Sequence, residues 1–392
     1  MLKVGIIGYG SRVSGMAKSL SIFGIPFKIA AVCDPRKDEI KAKDDGFLKD
    51  ARFYDTPEAL LDTEELDGVM IGTRCNLHTP MAIKVARRGL PLFLEKPVAI
   101  SFDQVKALDE AFRDYPAPVV VSFPLRTSPI AERVKQIIDS GEIGSVEHVV
   151  GFNDVPYGWV YYRRWYRDYE TMQGLFLQKA THDFDCVNFL VGQRPKWVCA
   201  MTSRRVYGPG RAFGSGRPFD LACAKCAENM ECPEGPFRRF HDRFEGDKVV
   251  MEEKDMCLFA EGVRNEDSGN AIIEFENGAQ YSYSQNFFAR GQAARRGARL
   301  YGYKGTIHFD WYENKIHVYP HQRPGVTTID FSAGGMSHFG GDRELAYDFL
   351  MAMKERRPTR TPIAAGVLSA LTCLCARQSA ETRRFVEVKM PG

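Results

Sequence analysis

Short apolar runs alternate with segments of helical periodicity over the first third of the chain. Each run has the length of a buried strand, and each segment between two runs fits a helix. The strands are predicted at 3–7, 27–33, 68–72, 91–94 and 119–123, and the helices at 16–23, 57–61, 80–88 and directly after Ser101. This alternation is typical of a doubly wound parallel α/β sheet. We therefore expect a first domain at residues 1–123.

Beyond residue 123 the pattern changes to alternating apolar and polar positions, which predicts a mixed or antiparallel sheet with one covered face. Asn277-Gly278 is a hairpin signal between two of its strands. The strands are predicted at 146–152, 197–202, 271–275, 280–285, 299–303, 306–310 and 315–319, and the helices at 129–140, 342–354 and 363–382. We expect a second, α+β domain at 124–392 with an open, mostly antiparallel sheet and an irregular, cysteine-containing insertion at about 207–257.

The composition excludes several classes of function. The chain has 392 residues with a formal net charge of +3, which gives no reason to expect nucleic acid or an anionic membrane as a partner. We find no apolar run of about 18 residues that would predict a transmembrane helix. The N-terminus leads directly into a strand, without a signal-peptide pattern. We expect a cytoplasmic protein whose partner is a small molecule.

A glycine-rich turn follows the first predicted strand. Gly8 and Gly10 allow a tight turn and a close approach of a pyrophosphate, while the following helix offers amide groups and a positive dipole end. A preceding strand and a following helix are the context that a dinucleotide site requires. The predicted phosphate-binding residues are Gly8, Gly10, Ser11, Arg12 and Val13, and Val13 stands where the fingerprint has glycine or alanine.

The second predicted strand ends at Asp34, whose carboxylate can accept both ribose hydroxyls of a nucleotide. Its charge would repel a 2′-phosphate, which favours NAD over NADP. Arg36 acts in the opposite direction, because a nearby arginine can accommodate that phosphate. The alternative is a glycine-rich turn of another α/β fold. We predict that Asp34 and Arg36 belong to an NAD site.

Five motifs, at 4–10, 71–78, 95–97, 181–185 and 302–306, give the chain a family resemblance. Over nearly its whole length it resembles the glucose–fructose oxidoreductase, inositol dehydrogenase and MocA group of NAD(P)-dependent oxidoreductases. The resemblance implies a Rossmann domain followed by an open-faced sheet domain that carries substrate residues and often the contact of a homo-oligomer, a dimer or tetramer. It also implies that Lys96 lies near the nicotinamide and that His182 acts on the substrate hydroxyl. Further cofactor residues implied by the motifs are Thr73, Asn76, His78 and Glu95.

Oxidation of an alcohol needs a hydride acceptor and a base for the hydroxyl proton. His182 can be that base near neutral pH, and Lys96 can stabilise negative charge on the same oxygen. If 179–190 is helical, Lys179, His182 and Asp185 share one face, so that Asp185 could orient the imidazole. We predict that Lys96, His182 and Lys179 are catalytic in an oxidoreductase that acts on a hydroxyl of a sugar or sugar derivative.

One position departs from the family pattern. Gln178 stands where many members have an aspartate, and Lys179 follows it. A neutral amide cannot assist proton transfer as a carboxylate can. The departure motivates an alternative, an NAD-dependent glycoside hydrolase that uses transient ring oxidation, elimination and water addition, with Lys179, Tyr157 or Tyr161 as the extra acid/base. A non-enzymatic NAD-sensing regulator is disfavoured because Lys96 and His182 are both present.

The segment 157–167 combines aromatic rings with arginines. Rings suit the apolar face of a sugar, and arginines suit a carboxylate, sulfonate or phosphate. This indicates an anionic carbohydrate, although an oligomer interface is enriched in the same residue types. The predicted substrate residues are Arg126, Tyr157, Tyr161, Arg163, Arg164, Trp165 and Asp183, with Asn286 and Arg290 as weaker candidates.

Four of the ten cysteines lie in the irregular insertion, at positions 223, 226, 232 and 257. Thiolates in such a loop fit a tetrahedral structural zinc, which could fold a segment that is poor in apolar residues. An iron–sulfur cluster and unrelated loop thiols are the alternatives, and His241 competes for the fourth position. The predicted ligands are Cys223, Cys226, Cys232 and Cys257.

Overall fold

The computed structural model describes residues 1–44, 46–210, 216–235, 255–331 and 337–391. Six strands form its first sheet: β1 (Leu2–Ile7), β2 (Phe27–Cys33), β3 (Arg52–Tyr54), β4 (Gly68–Ile71), β5 (Leu92–Leu94) and β6 (Val119–Val121). All pair in parallel, in the order β3-β2-β1-β4-β5-β6. The doubly wound prediction is confirmed. In this order the crevice for a ligand opens between β1 and β4, at the carboxyl ends of the strands.

Five helices connect these strands: α1 (Ser11–Ser19), α2 (Lys37–Ala42), α3 (Pro57–Thr63), α4 (His78–Ala86) and α5 (Phe102–Phe112). Hydroxyl caps start two of them, because Thr56 accepts from the amide of Ala59 and Ser101 accepts from the amide of Gln104. The predicted start of the first helix at residue 16 was wrong by five residues. Serine and glycine are poor helix formers, so the periodicity did not indicate a first turn that begins directly after Gly10.

Within the described ranges, nine strands form the second sheet: β7 (Val146–Asp154), β8 (Pro195–Ser203), β9 (Ser268–Phe275), β10 (Gln280–Asn286), β11 (Arg295–Gly302), β12 (Gly305–Asp310), β13 (Lys315–Pro320), β14 (Thr327–Asp330) and β15 (Val386–Glu387). Their order is β14-β13-β12-β11-β7-β10-β9-β8-β15, and every pair is antiparallel except β7 with β10. The prediction of a mostly antiparallel sheet is confirmed. Gly278 has a φ of +89° in the predicted hairpin between β9 and β10.

In the sequence, the remaining helices precede β7, lie between β7 and β8, or follow β14. They are α6 (Pro129–Asp139), α7 (Val160–Arg163), α8 (Tyr169–Met172), α9 (Thr181–Val191), α10 (Gly341–Glu355) and α11 (Ile363–Thr382). α9 and α11 pack on each other, and α11 covers one face of the second sheet at β8. The opposite face exposes apolar side chains, among them Val150, Met201 and Ile272.

The last two helices return to the first sheet. Phe349 of α10 meets the ring of Phe93 of β5 at a centroid distance of 5.9 Å, and α11 contacts α5 and β6 as well as α9. By length and composition α11 could cross a membrane, but 61% of its apolar stretch is buried inside the protein, as in a core helix. Both helices follow β14 in the chain and also pack on the first sheet. The division of the chain into two domains at residue 123 stays a prediction.

Candidate active site

The glycine-rich turn lies at the carboxyl end of β1, where its shape depends on Gly8. This residue has a φ of +84°, and a Cβ on it would lie 2.7 Å from the amide nitrogen of Thr73. Its own amide donates to the carbonyl of Cys33 at 2.8 Å. Glycine alone fits such a backbone. The turn therefore aims the first amides of α1, at Ser11, Arg12 and Val13, into the crevice, where they can bind a pyrophosphate.

Val13, the residue that departs from the fingerprint, is compensated at β4. A Cβ on Gly72 would lie 2.2 Å from Cγ2 of Val13, so the space that the fingerprint's third glycine normally leaves is provided from the other side. Val13 is fully buried there. The close approach of α1 to the sheet is thus preserved, with the large residue at position 13 of the helix and the glycine at position 72 of the strand end.

Asp34 lies at the end of β2 and is held by two neighbours. Its Oδ2 accepts from the amide of Tyr9 at 2.9 Å, and Arg36 donates to both carboxylate oxygens through its side chain. Burial acts to raise the pKa of Asp34, but the hydrogen bonds from Arg36 lower it below its ordinary value. The carboxylate is therefore charged, and the exposed Arg36 lies beside it.

Arg12, predicted to bind phosphate, instead uses its guanidinium to connect the ends of β5 and β6 with α10. Its Nε donates to Glu95 at 3.0 Å, and its two terminal nitrogens donate to Asp342 at 2.7 and 2.6 Å. The second of these also donates to Ser122 at 3.0 Å. Glu95, predicted beside the cofactor, is thus an ion-pair partner of Arg12. The pair fixes the strand end that carries Lys96.

Lys96 follows β5, and its Nζ donates to the carbonyl of Gln178 at 2.9 Å. Burial lowers the pKa of Lys96 to about 8, against the opposing charge of Glu95, and the positive charges of Lys179 and Arg12 lower it further. A lysine with such a pKa can change its protonation state near neutral pH.

His182 is the second residue of α9, close to Lys96. Its side chain is 6% exposed, and among the described residues its Nδ1 has no hydrogen-bond partner. Burial lowers the pKa of His182 well below its ordinary value, and the charges of Lys96 and Arg296 act in the same direction. The ring of Phe123 meets it edge-on at 6.1 Å. The neutral imidazole can therefore accept a proton.

Lys179 lies on a π-helical turn, Phe176–Ala180, directly before α9. Such turns occur often at functional sites. The Nζ of Lys179 donates to the hydroxyl of Tyr157. Burial lowers the pKa of Lys179 well below its ordinary value, aided by Arg296 and opposed by Asp183. Helical geometry brings Lys179 and His182 together as predicted, with Tyr157 as a partner of Lys179.

Asp183 was predicted to bind substrate, but its carboxylate is engaged inside the protein. Arg296 of β11 donates to both oxygens, at 2.7 and 3.1 Å, and Asn153 and Tyr283 donate to Oδ2 at 2.8 and 2.9 Å. Asp183 and Arg296 are 5% and 3% exposed. The four hydrogen bonds assign Asp183 to joining α9 to the second sheet.

Asp185 does not orient the imidazole of His182. It forms a buried ion pair with Arg126, whose Nε lies 3.0 Å from Oδ2. Burial raises the pKa of Asp185 to about 6, although Arg126 opposes that shift. The predicted substrate role of Arg126 is therefore not supported, because its guanidinium is used to hold α9.

The strand-end loop after β4 has one residue suited to a ligand. Oδ1 of Asn76 is buried without a hydrogen-bond partner among the described residues. His78 is braced instead, with Nδ1 at 2.7 Å from the carbonyl of Pro97 and Nε2 at 3.2 Å from that of Thr73. The predicted cofactor role thus fits Asn76, whereas His78 connects the loop to the backbone beside Lys96.

The aromatic and basic segment 157–167 mostly holds the insertion. Arg163 is fully buried and forms an ion pair with Glu234, and Arg164 bonds Asp255 at 3.2 Å. Tyr161 is buried against Phe287. Internal acids thus engage the arginines predicted to bind an anionic substrate. Trp165 stacks under the guanidinium of Arg74 at 4.0 Å, beside the cofactor loop.

The two weaker substrate candidates are engaged in the same way. Asn286 donates to Asp154 on the neighbouring strand. Arg290 bonds Glu234 at 3.2 Å, which ties the insertion to the end of β10. Both contacts join these side chains to acids of the protein, and neither of the two involves His182.

The insertion gives no support to the predicted zinc. Cys223, Cys226, Cys232 and Cys257 are buried free thiols, and burial raises the pKa of Cys223 to about 11. Across the described ranges, which omit His241, no group of three histidine, cysteine or acidic side chains is arranged to hold a metal ion.

Sequence reasoning missed Arg296, His338 and Asp342. Arg296 stands in register with the inward positions Ala298 and Leu300, a signal that the alternation of β11 contained. His338 has its ring centroid 6.3 Å from that of His182, and no periodic pattern distinguishes it. Asp342 lies in the first turn of α10, where an acidic residue is expected because it stabilises the positive end of the helix dipole.

The fold and the site define a dinucleotide-dependent oxidoreductase with a Rossmann sheet and an open second sheet. Residues 2–123 match the model of the oxidoreductase family with an NAD-binding Rossmann fold, and residues 131–308 match the GFO/IDH/MocA C-terminal domain. The chain belongs to the Gfo/Idh/MocA family of NAD-dependent oxidoreductases, as its motifs predicted.

Some relatives of similar sequence are named dehydrogenases. The chain is 28% identical over 428 residues to levoglucosan dehydrogenase of Pseudarthrobacter phenanthrenivorans, covering 99% of this chain and 98% of the relative. It is 28% identical over 220 residues to inositol 2-dehydrogenase of Rhizobium meliloti, 56% of this chain and 63% of that protein. The solved structure of levoglucosan dehydrogenase with NADH and levoglucosan has a TM-score of 0.76 at 21% identity and 99% coverage of both chains, which shows the fold.

Proposed function

We propose that this oxidoreductase acts on a hydroxyl of a sugar or sugar derivative, with NAD as the hydride acceptor. The observation that carries the proposal is the convergence of Lys96, Lys179 and His182 where the first sheet meets α9. Relatives named for sugar and inositol substrates support the substrate class.

The residues around the crevice fit NAD. The first amides of α1 suit its pyrophosphate, and Asp34 suits a ribose. The unpartnered Oδ1 of Asn76 suits a hydrogen-bond donor of the ligand. NAD, when bound, supplies the hydride acceptor. Asp34 favours NAD over NADP through its charge, although Arg36 lies against it.

Proton chemistry falls to His182 and Lys96. Burial and the neighbouring cations keep the imidazole of His182 neutral before the reaction, so its free lone pair can accept the hydroxyl proton. The ammonium of Lys96 stabilises the negative charge that develops on the same oxygen, and the pKa of about 8 keeps part of the lysine protonated at neutral pH.

An anionic substrate is supported by the charge of the site. Arg163 and Arg164 are engaged with Glu234 and Asp255, and Arg296 is paired with Asp183. Lys96 and Lys179 are therefore the candidate partners of an anion near His182. A carboxylate, sulfonate or phosphate on the sugar would raise the pKa of both lysines and so favour their charged forms.

Glycoside cleavage is the second candidate, and the contact of Lys179 with Tyr157 favours it. Such cleavage begins with the same oxidation at the hydroxyl and needs a further acid/base for elimination and water addition. A lysine and a phenol in hydrogen-bond contact can exchange a proton. Net oxidation needs no such pair.

The test follows NADH absorbance and aglycone release together, with NAD, neutral and acidic sugars, and their aryl glycosides. Stoichiometric NADH from a free sugar supports the dehydrogenase. Aglycone release with catalytic NAD and without NADH accumulation supports the glycosidase, and loss of release in Lys179→Met would assign the extra acid/base. Neither product from any substrate would contradict both candidates.

We also propose a cytoplasmic homo-oligomer formed through the open face of the second sheet, where Val150, Met201 and Ile272 are exposed. An apolar patch of this kind is typical of an interaction surface. Ile272→Lys should dissociate the oligomer, which light scattering after size exclusion would show as a lower molar mass. A monomeric wild-type protein would contradict the proposal.

A further inference from the structure

A histidine–aspartate pair at the start of α10 lies beside the proposed reaction centre. Nδ1 of His338 is 2.8 Å from Oδ2 of Asp342, and the imidazole ring lies 6.3 Å from that of His182 between centroids. Neither residue belongs to one of the five sequence motifs.

The neighbours of Nδ1 fix the tautomer of His338. Burial acts to raise the pKa of Asp342, but the hydrogen bond from His338 and the charge of Arg12 hold it well below the ordinary value. A carboxylate only accepts hydrogen bonds, so Nδ1 must carry the hydrogen. Arg12, which only donates, lies 3.4 Å from the same atom and cannot bond it. The lone pair of the neutral ring is therefore on Nε2.

The backbone holds this imidazole in an unusual conformation. His338 and Phe339 have φ values of 45° and 57°, in the left-handed region that side chains other than glycine seldom adopt. Gly341 anchors the segment, since a Cβ there would lie 1.8 Å from the carbonyl oxygen of Pro124. Phe339 stacks on Trp311 at 6.2 Å. Conformations of this kind persist where surrounding contacts enforce them, often at functional sites.

The two histidines differ in their access to solvent. The side chain of His182 is nearly inaccessible, and its Nδ1 lacks a partner among the described residues. The side chain of His338 is 37% exposed. The centroid distance of 6.3 Å leaves space for one oxygen to bridge the rings through two hydrogen bonds of about 2.8 Å.

We propose that His338, oriented by Asp342, is a second proton-transfer residue that carries the proton from His182 to solvent. The inference rests on the proposed oxidation. In that reaction the hydride leaves the carbinol carbon with its electron pair for NAD, and the hydroxyl proton passes to His182. It then moves through one water to Nε2 of His338, which releases it to bulk water. The carboxylate of Asp342 stabilises the transient imidazolium.

Charged groups from four elements face His338. Arg12 approaches from α1 and Asp342 from α10, while His182 and Lys179 lie on α9 and the turn before it. Burial of most of the side chain lowers the pKa of His338. The positive charges of Arg12 and Lys179 act in the same direction, and Asp342 opposes them. These contributions keep the resting ring neutral, so that the lone pair on Nε2 can accept a proton, and Asp342 favours the imidazolium that then forms.

Two substitutions separate a relay from a structural role. His338→Asn keeps a side-chain N–H for Asp342 and suits a left-handed backbone, and His338→Gly leaves a space that free imidazole can fill. We expect kcat to fall about 10²-fold in both variants, with the Kd for NADH unchanged within about twofold. Added imidazole should restore kcat in His338→Gly alone. His317→Asn, in the exposed hydrogen bond to Thr328, is the matched control and should behave as wild type.

Full kcat in His338→Asn would overturn the relay. The relay would also be overturned if His338→Gly lost its kcat, imidazole did not restore it, and the Kd for NADH rose. The second measurement needs no turnover: long-range ¹⁵N correlation of the histidine rings in the wild-type complex with NADH. A hydrogen on Nδ1 of His338 supports the proposal, and a hydrogen on Nε2 overturns it. The two failures are distinguishable, because NADH formation by wild type tests the proposed oxidation, whereas the tautomer of His338 is measured without turnover and tests the relay by itself.

Discussion

Replacement of Asp183 by asparagine should destabilise the protein strongly, because the carboxylate neutralises a guanidinium that water does not reach. Arg296 donates two hydrogen bonds to Asp183, and Asn153 and Tyr283 donate two more. Asparagine would present an amide N–H to donors and leave the charge of Arg296 buried. Breaking a buried pair from one side costs about 3–5 kcal/mol, a large part of a total stability of about 5–15 kcal/mol.

The measurement is the free energy of unfolding from urea titrations followed by tryptophan fluorescence. Asp330→Asn is the matched control, because its partner Lys315 lies at 3.3 Å with both side chains exposed. We expect the control to change by less than about 1 kcal/mol. The double variant Asp183→Leu with Arg296→Met should recover much of the loss. If Asp183→Asn is as stable as wild type but inactive, the carboxylate acts on substrate and the structural assignment is refuted.

Three further predictions concern the cofactor and the pH profile. Gly72→Ala should destabilise the protein by about 1–3 kcal/mol and weaken NADH binding in fluorescence titrations, since its Cβ would overlap Val13, and added Val13→Ala should restore part of both losses, because the Cβ of residue 13 would still lie 2.8 Å away. The oxidation rate should fall as the pH rises through about 8, where Lys96 loses its proton, and Lys96→Arg should move that decline to higher pH; a flat profile up to pH 10 in wild type would argue against a charged lysine. Asp34→Ala should raise the Kd for NADH about tenfold and change that for NADPH less, whereas equal changes would show that the carboxylate does not discriminate.

Much of the fold could be predicted because local pattern and tertiary structure agree. The predicted β2 and α11 have the observed bounds, and the hairpin at Gly278 has the positive φ that its sequence indicates. Short elements such as β3 were missed, because three residues carry too little periodicity. The start of α1 was missed because the serines and glycine of its sequence are poor helix formers, so that apolar spacing did not indicate its first turn.

The motif residues could be located from sequence, but their partners could not. Spacing on α9 favoured a contact between Asp185 and His182, yet Arg126, 59 positions earlier in the chain, takes that carboxylate. The arginines of segment 157–167 looked available for an anion, whereas Arg163 is buried against Glu234 of the insertion. Ion pairs between distant segments depend on packing that no local pattern records, and His338 was missed for the same reason.

The central claim is that Lys96 and His182 perform an NAD-dependent oxidation. It is tested most directly by NADH formation from a sugar panel with wild type, Lys96→Met and His182→Gln, after fluorescence titration has shown equal NADH binding. We predict NADH formation by wild type and a fall in kcat of about 10²–10⁴-fold in each variant. Unchanged kcat in either variant, with cofactor binding intact, would contradict the claim.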